Sequence, residues 1–244
     1  ICDFVLSMKG DESRMYFFQK DKTIHQYICQ HKLWVLGRVV DLYNSNANKE
    51  EKMLEPLWRR YHEGLEGIMV FFSRIEAAIY SIHLEKKFEE KWVVYSLNEL
   101  NIKEMMIHNQ IVKNTDDYNV LLSAGFWANK DNQLLYSGYH LVQVTIPVTF
   151  NSNAVANEQG HAILRITSSV IEQFQKHWKG RYSNFKDYTE FLAGSNKKVI
   201  QEQALTAYNN LNLSECNGIN DCQYITTWQN NWIFNNPEIL NLIK

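Results

Sequence analysis

Proline is nearly missing from this chain: three residues in 244, Pro56, Pro147 and Pro237. Glycine is held to ten, and no stretch is rich in Gly/Ser or Pro. With no linker composition and no repeat of 20–50 residues, a single domain over residues 1–244 is expected. No apolar run approaches the roughly 18 residues that suggest a membrane span, and Gly67–Phe72 is among the longest. Neither sign of charge dominates. Lys+Arg total 25 and Asp+Glu 27, so no global field favours nucleic acid or an anionic membrane. Phosphate-binding signatures are missing as well: there is no Gly-x-Gly-x-x-Gly, no Walker loop and no Gly-x-Ser-x-Gly elbow. The first residue is Ile1 rather than Met, as expected of a processed or trimmed product, in which any signal or anchor upstream would not show.

What is present is apolar and aromatic. Hydrophobic residues make up 45% and aromatics 13%, ample for a core. From Leu54 to Ile82 apolar residues recur at steps of four and three, through Trp58, Tyr61, Leu65, Ile68, Phe72, Ile75 and Ile79. That period predicts one long amphipathic helix reaching about Phe88. Its flank, carrying His62, Glu66, Glu76 and His83, reads as solvated, and no metal site is favoured there. A second helix is expected across Ile24–Tyr43. None of the 25 Asn lies before 44 or between 49 and 97, which fits long helices in those segments.

The period then changes to two. Tyr139–Phe150 alternates between an apolar and a polar face and predicts a half-buried strand. Its Val142, Val144, Ile146 and Val148 should face inward, and its Gln143, Thr145 and Thr149 solvent or a cleft. Tyr118–Trp127 is its expected hairpin partner, joined through 128–132, with further strands at 161–167 and 104–113. Helical spacing returns at 170–192. Ser195 is expected to cap another helix through Ala207–Leu211, and Asn236-Pro237 to open a last one. The reading is α+β: long N-terminal helices (1–100 mainly helical), a central mainly antiparallel sheet of three to four strands (101–168), then C-terminal helices (169–244 mainly helical).

The four cysteines sit near the two ends. Cys216 and Cys222 bracket a turn-forming segment, which points to a disulfide-closed loop, with Cys2 and Cys29 as a possible second pair among three pairings. A disulfide implies an oxidising compartment, so a secreted or periplasmic location is expected, with the cytoplasm as the alternative. Gly160-His161-Ala162-Ile163-Leu164 resembles the histidine strand of papain-like thiol hydrolases, and Asn230-Asn231-Trp232 is similar to that family's Asn-x-Trp segment. The resemblance implies a thiol hydrolase with Cys29 as nucleophile, His161 as base and Asn230 as orienting amide. Cys29 is expected at the start of a helical stretch, where the dipole lowers a thiol pKa. The chain departs from the family at Tyr27-Ile28-Cys29-Gln30, which has no glycine.

Lys176, Lys179, Arg181, Lys186, Lys197 and Lys198 alternate with Trp178, Tyr182 and Phe185, but Glu172, Asp187 and Glu190 flank or interrupt them. This reads as a solvated amphipathic face, without nucleic acid. The leading expectation is a non-enzymatic, exported, soluble binding or assembly module that acts on a protein partner through its surface. It carries no cofactor, and the thiol hydrolase is the alternative.

Overall fold

The computed structural model describes residues 18–21, 26–29, 32–44, 49–60, 66–100, 117–151, 165–166, 194–218, 223–228 and 231–235. In chain order these form β1 (Phe18–Asp21), β2 (Gln26–Cys29), β3 (Trp34–Asn44), β4 (Lys49–Pro56), β5 (Trp58–Arg60) and β6 (Glu66–Phe71). Next come α1 (Arg74–Phe88), β7 (Val93–Ser96), β8 (Asp117–Ala128), β9 (Leu134–Ser137), β10 (His140–Leu141), β11 (Gln143–Asn151) and β12 (Arg165–Ile166). The last are α2 (Lys197–Asn209), β13 (Leu213–Glu215), β14 (Gln223–Trp228) and β15 (Asn231–Asn235). β1, β2 and β12 make a small sheet, and the other 12 strands make a large one.

The expected α+β arrangement is overturned. The described residues are mostly strand, with two α-helices, and the long N-terminal helices are strands β2 to β6. Buried strands explain the misreading. β6 runs Ile68, Met69, Val70 and Phe71, each with 0% exposure, so both of its faces are apolar. A segment apolar at every position satisfies a heptad template as readily as a strand template. Leu33–Leu36 at the start of β3 is buried in the same way. The helix-forming composition of Lys49–Glu55 is overridden by pairing, since β4 lies antiparallel along β3 from Gly37↔Pro56 to Asn44↔Lys49. Scarce Asn did not discriminate either, because strands disfavour Asn too. Only from Arg74 onward is the expected helix a helix.

Strand β8 organises the large sheet. On one side it pairs antiparallel with β11, from Asn151↔Asp117 to Gln143↔Phe126. On the other it pairs parallel with β6 (Ile68↔Val120 to Phe71↔Ser123) and then antiparallel with β14 (Ile225↔Phe126 to Gln223↔Ala128). The expected β8–β11 pair is therefore present, but β9 and β10 lie between the two strands in the chain. Parallel neighbours need a crossover connection, and α1 lies in the one from β6 to β8.

The alternation expected of β11 fails at its start. A register irregularity between Gln143 and Thr145 leaves Gln143 (5% exposed) and Val144 (2%) both buried. Val144 packs with Trp127 and Leu135 in a satellite cluster apart from the main core. Pro147 is exposed on β11, which pairs along one side only among the described residues.

α1 lies against the sheet and against α2, and every residue from Ile75 to Leu84 is buried. α2 is capped by Asn196, whose side chain accepts from the Val199 N–H at 2.9 Å, one residue after the expected Ser195. It buries Ile200, Ala204, Ala207 and Tyr208. β14 and β15 then occupy part of the segment expected to be helical. The expected strand at 104–113 and helices at 170–192 and 236–237 lie outside the described residues, as do 161–164. No helix among the described residues is long and apolar enough to cross a membrane.

Candidate functional site

Cys29 ends β2, opposite Phe18 of β1, so it opens no helix, and the dipole expected to activate its thiol is not there. β12 runs antiparallel to β2, with Arg165 opposite Ile28. His161, Asn230, Cys2 and Cys222 lie outside the described residues. Cys216 follows β13, half-buried and with no disulfide partner among the described residues, its Sγ 3.8 Å from the Gly218 carbonyl oxygen. Glu66 pairs with Arg60 across the β5–β6 ladder at 2.6 Å. His62 and Glu63 are outside the description.

The flank expected to be solvated is the most enclosed part of α1. Glu76 is 5% exposed and His83 0%. With Tyr80 they form a polar stripe at helical spacing along a buried helix. Tyr80 is fully buried and meets His140 of β10, Oη to Nδ1 at 2.6 Å. The Arg59 guanidinium of β5 lies near the same hydroxyl and opposes the rise in pKa that burial causes there. The same guanidinium donates to the Leu141 carbonyl at 3.1 Å and to Gln143 Oε1 at 3.4 Å. Gln143 Nε2 passes the chain on to Ser123 Oγ at 2.7 Å. The residue that breaks the β11 alternation is thus held inside by two hydrogen bonds.

Burial and Arg59 push the His140 pKa down to about 4. Burial, then Lys87 and His140, does the same to His83, also to about 4. Burial raises the Tyr80 hydroxyl far above its ordinary range and raises Tyr208 too. His83 is ringed by Phe88, Tyr136 and Tyr208, with centroids at 5.8, 6.1 and 6.1 Å. Its Nδ1 bonds the Tyr208 hydroxyl at 3.2 Å. The nearby Tyr139 carbonyl partly offsets the fall in basicity, yet Nε2 completes no hydrogen bond. Both imidazoles are neutral at pH 7, and each spends one nitrogen inside the network. The arrangement suits satisfying buried polar groups better than moving protons.

A second stripe of α1, Arg74, Ala78, Ser81 and Glu85, floors a groove of about 220 Å³. One wall is β7 with the turn before it, including Lys91 and Val94, and the other is the first turns of α2, including Lys197. Arg74 opens α1 and is fixed by donation to the Ser195 carbonyl at 2.7 Å and by stacking over Trp34 at 4.8 Å. Burial lowers its pKa, and Glu99 opposes that. Lys91 and Lys197 form no ion pair among the described residues. The α2 first turn contains no acidic residue to balance the helix dipole, only Lys197 and Lys198. Three cations and one carboxylate therefore face this groove, in a chain of net charge −2.

Among the described residues no three metal-ligating side chains gather. Sequence reasoning missed both places. Glu76, Tyr80 and His83 within an apolar helix were the one available signal for the first. The groove joins three segments far apart in the chain and carries no local pattern. Comparison with known proteins gives no match: neither a family model, nor a curated protein, nor a solved structure.

Proposed function

We propose that this chain is a non-enzymatic, exported binding module that works on a protein partner through its surface, with the groove beside α1 as the contact. The observation that carries this reading is the groove's excess of positive charge in a chain of net negative charge. The internal use of His83 and His140 supports the non-enzymatic part. Export rests on the terminal cysteines. Mass mapping after non-reducing isolation should find Cys216 bonded to Cys222, and two free thiols there would make cytoplasmic residence the default.

The catalytic alternative has a direct test. The intact chain and its Cys29→Ser variant are assayed for peptide and ester hydrolysis. The expected result is no turnover that depends on the thiol. Hydrolysis lost in Cys29→Ser and blocked by alkylation would overturn the binding-module reading and restore the thiol hydrolase.

A further inference from the structure

We infer that the groove binds a short, extended, acidic peptide segment of a partner protein, which adds as a strand to the open edge of β7. The inference rests on the binding-module reading and gives it a partner chemistry.

The open edge follows from hydrogen-bond parity. Leu97 N–H donates to the Leu33 carbonyl, while Leu57 N–H, on the other side of β3, donates to the Leu36 carbonyl. Backbone groups alternate sides along a strand, so Leu33, Val35 and Gly37 face β7 and Leu36 faces away. Val94 is opposite Leu36, and its N–H and C=O therefore point out of the sheet, away from β3. Trp92 and Ser96 share that parity and are already used. The Trp92 carbonyl accepts from Ser81 Oγ, and the Ser96 N–H donates to Glu99 Oε1 at 2.8 Å. Val94 N–H and C=O have no partner among the described residues. One donor and one acceptor, side by side, form the slot that a single residue of an added strand fills. Val93 and Val94 both line the groove. Successive side chains on a strand point to opposite faces, so lining by both means that the strand offers its edge.

Length and charge define the occupant. From Arg74 to Glu85 the floor spans about 16 Å at 1.5 Å per residue, which an extended segment of roughly five residues covers. Lys91 and Lys197, both exposed and free of ion pairs among the described residues, stand where carboxylates on such a segment would be taken. The half-buried Val93 and Val94 surfaces accept its apolar side chains. Acidic and β-branched residues in alternation suit both surfaces.

The test is fluorescence anisotropy on the full chain, with a labelled, acetylated five-residue peptide alternating aspartate and valine. Three comparisons accompany it: asparagine in place of aspartate, N-methylation of the central residue, and the Lys91→Glu/Lys197→Glu double variant. Both lysines are exposed and Lys197→Glu complements the α2 dipole, so the double variant should melt no lower than the parent. The expected result is saturable binding of the acidic peptide, weakened at least tenfold by each of the three changes. No saturation at millimolar peptide, or equal binding by the double variant, overturns the inference. Equal binding of the amide peptide removes the acidic partner, and equal binding of the N-methyl peptide removes strand addition. None of these outcomes touches the hydrolysis assay, so the non-enzymatic part of the binding-module reading stands or falls separately.

Discussion

Side chains at the helix starts carry unequal weight. Asn196 caps α2 through its side chain, whereas Ser73 precedes α1 with a buried Oγ that makes no cap bond and has no partner among the described residues. Asn196→Ala should lower stability by about 1 kcal/mol, and Ser73→Ala by under about 0.5 kcal/mol. Urea melts check both, and equal losses would contradict the capping geometry. His83 makes a pH prediction. Its folded pKa of about 4 lies below the ordinary 6.5, so the unfolded chain binds the proton more readily. Stability from this source is complete above about 6.5 and is lost as pH falls toward 4, with His140 adding a parallel loss. Against pH, the urea midpoint of His83→Gln should fall less steeply than that of the parent through this window, while superimposable slopes would remove His83 as a cause. Little of this was legible beforehand. Glu76 and His83 at heptad spacing read as a wet flank, because sequence does not show that Tyr136 of β9 and Tyr208 of α2 close over His83.

Elements differ in how closely their backbones approach. A Cβ on Gly67 of β6 would lie 2.7 Å from the Asn119 carbonyl oxygen of β8, and backbone cannot step aside. A Cβ on Gly37 of β3 would meet the end of the Leu54 side chain at 2.9 Å, which can rotate. Gly67→Ala should therefore destabilise by roughly 1–3 kcal/mol and Gly37→Ala by clearly less. Thermal melts that rank the two the other way would contradict the β6–β8 register. The half-buried strand was the legible one. β11 announced itself by alternation and the loop between β8 and β9 by its Asn and Asp, since part of each pattern meets water. β6, the start of β3 and the middle of β8 are buried on both faces and carry no alternation to read. α2 was legible to within a residue or two because it presents one wet face.

At the scale of the whole molecule, the chain's early and late segments meet on β8. The N-terminal part supplies β6 and the C-terminal part β14, and α2 covers α1 with Ile200, Ala204 and Ala207. A fragment ending at Asn151 would keep β8 and β11 but lose α2 and the β13–β15 strands. It should show no cooperative urea transition and no near-ultraviolet aromatic signal, and a sharp transition would mean that the late elements merely decorate a finished core. This topology was illegible in the sequence, because nothing local in Gln223–Trp228 names a partner about a hundred residues upstream. It also carries a consequence for synthesis. With 151 residues between Phe71 and Gln223, a ribosome adding roughly 5–20 residues per second leaves β6 waiting for about 8–30 s before β14 emerges. For that interval the nascent chain holds out an apolar, half-paired sheet, so its yield in a cell depends on whatever shields emerging chains until the last strands arrive.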